Sequence, residues 1–511
     1  MHTSDATGMR LETEGSRPAP REQCNSPMPA IPMPMPLPIP IPIPIPIPTP
    51  SATQPANDMA ATTRRAFCCG AASLLLTPRR LLHASALAGQ AQPASAAIST
   101  RPDVAAIDHD RILAAAQRYL TLPPTPLTLL PCLRSPGTAH DYYSEAQPEA
   151  DSGGGPAAGS TPQPGAASAS SPPPFTAHRD ALFALGLAVP ALAAAHLLTG
   201  EERYADQALL QLRAWFVDPA TRMTPSLNYG QVLAGQASTA PPGERIVIQN
   251  NSSFGAAPIA HTGGRFEGIL ETLPLVEIAQ AIPFLASSPA LTEADSNSLD
   301  AWFAAYLRWL TEPQDSGPRL AALARDRKDH HGTSWLLQAC AYATLTVPKG
   351  TAPRSEDRSL ADLRHRFKTV MLRAQIDADG KFPHELGSPT PYRDSLFNLD
   401  MIAAVCHLLS TRFESVWDYQ LEDGPGMRAA IAYHFPFIAD RKVWPFRADQ
   451  THFDQLPGRR ASLLFAAHAY QRPEYAALWK TLPPDPAAPD ILRTLPVHQP
   501  LLWVREPPRT P

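Results

Sequence analysis

The sequence predicts an all-α fold, a ring of antiparallel helices around a central cleft, and three observations carry that prediction. From residue 100 onward, apolar residues recur at helical spacing in separate stretches of about 10 to 20 residues. The connections between most of these stretches are short, which makes consecutive helices antiparallel. The alternation a half-buried strand needs is almost absent, with RIVIQ at 245–249 as the main exception. So many helices exceed a four-helix bundle and favour a toroid whose cleft is lined by loops and helix ends.

The chain has 511 residues and 60 prolines, many of them before residue 60. The run MPMPLPIPIPIPIPIPTP at 33–50 lacks an amide donor at every second residue and has φ fixed there, so it is expected as polyproline II or disordered chain within a Pro-rich, low-complexity segment, 1–58. Translation is expected to start at Met59. From there Thr63-Arg64-Arg65-Ala66-Phe67 precedes an apolar core, and Ala86-Leu87-Ala88 offers a small-residue cleavage site. That order is a twin-arginine export signal over 59–88, so the mature protein, 89–511, is expected in the periplasm or outside the cell. The apolar core of the signal is too short for a stop-transfer helix, and no membrane span is expected after it.

In the mature chain the helical pattern begins with Ile107, Ile112, Leu113 and Ala116, then Leu182, Leu185, Val189 and Leu192. Further helices are predicted over 201–217, 266–287, 291–311, 317–325, 333–346, 357–375, 395–411, 426–434, 460–470 and 473–481. Residues 146–174 are Gly, Ser, Pro and Ala with almost nothing to bury, and read as a surface insertion within one domain.

A charged fraction of 18% and a net charge of -4 give no long-range basic field, which argues against a nucleic-acid partner. An anionic ligand must therefore meet a local cluster of Arg, Lys and His. Beyond the signal only Cys132, Cys340 and Cys406 remain, with neither zinc nor disulfide-framework spacing. Buried thiols are the favoured reading, with one bridge from Cys132 to Cys340 or Cys406 left open.

Polar residues gather at helix ends in three places: WFVDPATRMTPSLNYGQ at 215–231, RDRKDHHGTSW at 325–335, and DADGKFPHEL at 377–386 running on through TPYRDSLFNLD to Asp400. With HDYYSE at 140–145, GRFEGILET at 264–272 and the late THFDQLP and LLWV stretches, these resemble the alginate lyase family over nearly the whole mature chain. The resemblance implies an incomplete (α/α) toroid, expected to be monomeric, that cleaves an acidic polysaccharide by β-elimination with no cofactor or obligatory metal.

Elimination next to a uronate carboxylate needs three things: charge compensation for the carboxylate, a base for the proton, and an acid for the departing oxygen. In the family an Asn-Asn-His-Gly run supplies the carboxylate contact and a His. Here the run is Asp329-His330-His331-Gly332, so His331 keeps the family His and His330 replaces an Asn. The family's Arg and Tyr fall on Ser388 and Asp394. Tyr392 and Arg393 carry the same groups at shifted positions, in a loop that prolines stiffen. His331 and Tyr392 are thus the candidate base and acid, with His330 and Arg393 neutralising the carboxylate. Asn228, Tyr229, Arg265, Glu267, Trp335, Glu385 and Asn398 are candidate substrate contacts. The family's Trp-rich stretch after HDYYSE is replaced by the insertion.

Two other functions stay open. Glu385, Asp394, Asp329 and Glu267 supply enough carboxylates for a glycoside hydrolase, which needs two of them facing across a cleft. Loss of the family Arg and Tyr also suits a polysaccharide-binding protein without catalysis.

Overall fold

Three of the longer helices, those opening at Val104, Glu293 and His330, start where a side-chain oxygen meets the first orphan amides. In the computed structural model, which describes residues 99–146, 173–233, 263–313, 320–347 and 358–507, Asp103 accepts the Ala106 amide at 3.2 Å and opens α1, Val104–Tyr119. Gly200, at φ 69°, ends α2, Ala177–Thr199, by donating to the His196 carbonyl. There follow α3 (Glu202–Leu212), α4 (Leu275–Ala281) and α5 (Glu293–Thr311), the last opened by a Thr292/Asp295 capping box. Then come α6 (Leu320–Arg325), α7 (His330–Thr346), α8 (Arg358–Arg366), α9 (Leu372–Gln375), α10 (Pro391–Leu409), α11 (Met427–Ala439), α12 (Ala461–Ala469) and α13 (Pro473–Thr481). The proline run, the export signal, nearly all of the 146–174 insertion and RIVIQ lie outside the described residues.

Two layers organise these helices. The inner series α2, α4, α7, α10 and α12 touch in that order. On their outer side α1 and α3 lie on α2, α5, α6 and α8 on α7, α11 on α10, and α13 on α12. Position dictates composition: Gly332 through Ala343 of α7 are all buried, and so are Ser395 through Cys406 of α10, whereas the outer helices bury one stripe. This double layer is the (α/α) toroid the sequence predicts. Cys340 and Cys406 are buried thiols in the inner helices α7 and α10, and Cys132 is a half-buried thiol, so no bridge joins them.

Two stretches, Ala177–Thr199 and Phe266–Leu285, are long and apolar enough to cross a membrane, against the sequence expectation that none would be. Their most apolar windows are 67% and 78% buried in the fold, so protein covers the apolar surface.

Three elements depart from the sequence reading. The helix expected over 266–287 is broken at Pro274 and Pro283 into a 3-10 helix, Phe266–Leu270, then α4, then a second 3-10 turn, Ile282–Leu285. The helix expected from 395 starts at Pro391, because proline at the first helical position gives up an amide that would be unpaired anyway. Short parallel strands β1 (Tyr143–Ala146) and β2 (Tyr229–Leu233), too short to show alternation, pair Tyr143 with Tyr229.

Candidate active site

The N-terminus of α7 carries the site. Asp329 caps it by accepting the His331 amide at 3.1 Å, and the same oxygen lies 3.0 Å from His331 Nδ1. A second oxygen of Asp329 takes Arg327, whose guanidinium lies over the Phe266 ring. Burial works against the Asp329 charge, but the hydrogen bonds from His331 and Arg327 hold its carboxyl well below the usual range. An ionised Asp329 fixes the proton of His331 on Nδ1 and leaves Nε2 as a lone pair. Burial, with His330 beside it, lowers the pKa of His331 and keeps that ring neutral.

His330 is in the opposite state. Its ring stacks on His331 at 4.3 Å between centroids, and its Nδ1 meets Glu385 Oε2 at 2.8 Å. Burial disfavours its charge, but the Glu385 carboxylate, with Asp394 and Asp329 behind it, outweighs burial and raises His330 to about 9. Glu385, 1% exposed, also accepts the His330 amide at 2.7 Å and the Asn398 amide group at 2.9 Å. Asn398 is oriented in turn by Gln375, whose own amide donates to the Asp329 carbonyl. One buried network therefore sets both imidazoles, one cationic and one neutral. Neighbouring groups whose pKa values are driven apart in this way are suited to divide proton donation and acceptance.

The two positions where the resemblance expects Arg and Tyr are bonded to each other. Ser388 Oγ donates to Asp394 Oδ2 at 2.6 Å, and Thr390 donates to the same oxygen at 2.9 Å. Tyr392 and Arg393 do not stand in a presenting loop, because Pro391 draws both into the first turn of α10. Asp449 then anchors that turn by accepting both backbone amides, at 2.8 and 3.0 Å. The Tyr392 side chain is fully buried against Trp444 and Phe453, and its hydroxyl donates to the Phe437 carbonyl at 2.8 Å. That hydroxyl is committed to the core and is no acid for a substrate. Arg393 donates to Thr390 and lies 3.7 Å from Asp394.

The opposite wall is built by close backbone approach. Gly264 N–H donates to the Asn228 carbonyl and Arg265 N–H to the Gly230 carbonyl. A Cβ on Gly264 would lie 2.5 Å from the Gly230 carbonyl oxygen, so only glycine fits. This contact sets residues 228–230 beside the 3-10 helix, whose Phe266 meets His331 edge-on at 5.3 Å. Glu267 pairs with Arg265 and acts on His331 through its charge. Behind them Glu271 is buried among Tyr142, Ser144 and Gln231. Asn228 accepts from the Trp309 indole, and Tyr229 leans on the Gly137–Asp141 turn.

Of the residues predicted from sequence, His330, His331 and Glu385 meet directly, Asn398 supports them, and Arg265 and Glu267 stand on the adjoining wall. Trp335 is 3% exposed, donates to the Leu310 carbonyl and lies under Arg366, so it is a core residue and no sugar platform. Glu385 and Asn398 are too buried to touch a polymer and instead position His330. Of the four carboxylates a hydrolase could draw on, Glu385, Asp329 and Asp394 are each engaged by neighbours, and Glu267 pairs with Arg265. Sequence reading missed Arg327, Phe266, Gln375 and Asp449. Only Asp329 had a local signal, as the acidic residue opening a helix, and its second bond to the imidazole shows only in three dimensions.

The ring is an (α/α) toroid with a carboxylate-held imidazole at a helix start, and its sequence family makes the class a polysaccharide lyase. The chain belongs to the alginate lyase family, whose sequence model matches residues 132–444. An alginate lyase from Bacteroides ovatus is similar in structure, at 22% identity and a TM-score of 0.58, over 79% of this chain and 94% of that one. Alginate lyase A1-III from Sphingomonas species A1 is more distant, at 13% identity and a TM-score of 0.40 over 77% and 94%. A form of A1-III complexed with tetrasaccharide matches at 13% and 0.42, over 81% and 99%. No curated protein matches the chain.

Proposed function

We propose that the substrate is a uronic-acid polysaccharide of the alginate type and that His331 is the base of a β-elimination. The observation that carries this reading is the Asp329–His331 contact at 3.0 Å, which directs a neutral Nε2 away from the carboxylate. Removing the C5 proton builds negative charge on the uronate carboxylate, and the His330 cation stacked on His331 offsets it electrostatically. Arg393 and Arg265 supply further positive charge along the cleft, while Asn228, Tyr229 and Glu267 are suited to sugar hydroxyls. In keeping with the twin-arginine pattern at 63–67, this monomeric enzyme acts after export, in the periplasm or beyond it.

The test is absorbance near 235 nm, where a new C4=C5 uronate bond absorbs, with alginate and other polyuronates as substrates. A rise that His331→Ala abolishes supports the reading. A chain that binds alginate yet gives neither unsaturated product nor new reducing ends would be a binding protein instead.

A further inference from the structure

With Tyr392 committed to the core and Asp394 bonded to Ser388 and Thr390, the departing glycosidic oxygen lacks the proton donor that the resemblance leads one to expect. We infer that His330 is the general acid of this elimination, its Nε2–H protonating the leaving oxygen while the stacked His331 takes the C5 proton. The assignment rests on the elimination reading above.

Geometry is its first support. Each ring is tethered through Nδ1, His330 to Glu385 at 2.8 Å and His331 to Asp329 at 3.0 Å. Among the described residues neither Nε2 has a hydrogen-bond partner. Both side chains stay part-exposed, at 15% and 14%, at the same helix start. Two stacked imidazoles with centroids 4.3 Å apart suit the adjoining C5 proton and O4 of one sugar.

Charge is the second support. Glu385 from the loop before α10, Asp394 from α10 and Asp329 from the turn before α7 all act on His330 and keep it protonated. Asp329, Glu267 and the His330 cation face His331, with Arg327 on the far side of Asp329, and burial keeps that ring neutral. Donor and acceptor thus stand ready in the same pH range.

The step balances as follows. His331 Nε2 takes the C5 proton, and the C5–H electron pair becomes the C4=C5 bond. The C4–O4 bond breaks with its pair on O4, and the His330 Nε2 proton moves to that oxygen. His331 ends protonated and His330 neutral, and proton exchange with water restores both.

The experiment compares alginate with a uronate carrying 4-nitrophenoxide at C4, a leaving group that needs no acid. His330→Asn slows both substrates through the lost charge, and is expected to lose a further factor of about 10² to 10⁴, the range of general-acid catalysis, on alginate alone. His331→Ala should lose both. Equal losses on the two substrates by His330→Asn would overturn the acid role and leave only charge compensation. A wild-type chain that releases neither product overturns the elimination reading and this assignment with it. Should His330→Asn fail to fold, Glu385→Gln serves instead: removing that carboxylate should move the alkaline limb of the rate profile, set near 9 by His330, to lower pH. An unmoved limb overturns the assignment.

Discussion

Gly332 follows His331 directly, and a methyl group there tests whether the α7 start is as tightly set as the site requires. A Cβ at Gly332 would lie 2.2 Å from the Arg327 carbonyl oxygen, whereas ordinary contact begins at 3.4 Å. The turn cannot yield on the other side, because Arg327 donates to the Ala324 carbonyl and its side chain is held by Asp329 and Phe266. Gly332→Ala must therefore shift the helix start by about 1 Å, and a misplacement of that size costs catalysis on the order of 10²-fold. Overpacking of this kind also costs about 1–3 kcal/mol of stability. Initial rates near 235 nm and urea unfolding of the same preparation measure the two effects. A variant within about twofold of wild type in rate, with unchanged stability, would refute the claim that this turn fixes His331.

Asp329→Asn should keep the helix cap but lose control of the His331 tautomer, lowering kcat by about 10²- to 10⁴-fold while circular dichroism stays unchanged. Arg460 and Asp400 lie 3.3 Å apart and are 0% and 1% exposed; Asp400→Ala should cost about 3–5 kcal/mol in urea unfolding by stranding a buried cation, whereas Asp400→Leu with Arg460→Met should be neutral or stabilising. His434 is 1% exposed, stacks on Phe382 at 4.8 Å, and is lowered by burial to about 4. Its neutral form contributes in full above pH 6.5, the ordinary value. As pH falls from there toward 4 the unfolded chain binds a proton that the folded one refuses, costing about 1.4 kcal/mol per pH unit. The stability gap between wild type and His434→Phe should therefore change by about 3 kcal/mol across that window, and parallel pH curves would count against it.

The sequence by itself determined the helical class and the ranges of many of its helices. Apolar spacing is a local property, and the helices over 291–311, 426–434 and 473–481 were legible because each buries its own stripe. It also brought the Asp329–Gly332 turn forward as the candidate centre, through its resemblance to the family's Asn-Asn-His-Gly run. What the tertiary structure alone decided is the state of each group. Glu385 read as a substrate contact, but the fold sets it 2.8 Å from His330 Nδ1, across 55 positions of sequence, and makes it the source of that ring's charge. Tyr392 carried the right functional group for an acid, but Pro391 and the Asp449 carboxylate start α10 one turn early and turn the phenol into the core. A pattern reports which side chains share a helix face. It does not report which distant carboxylate will face them, and proton affinity in a buried site depends on that distance.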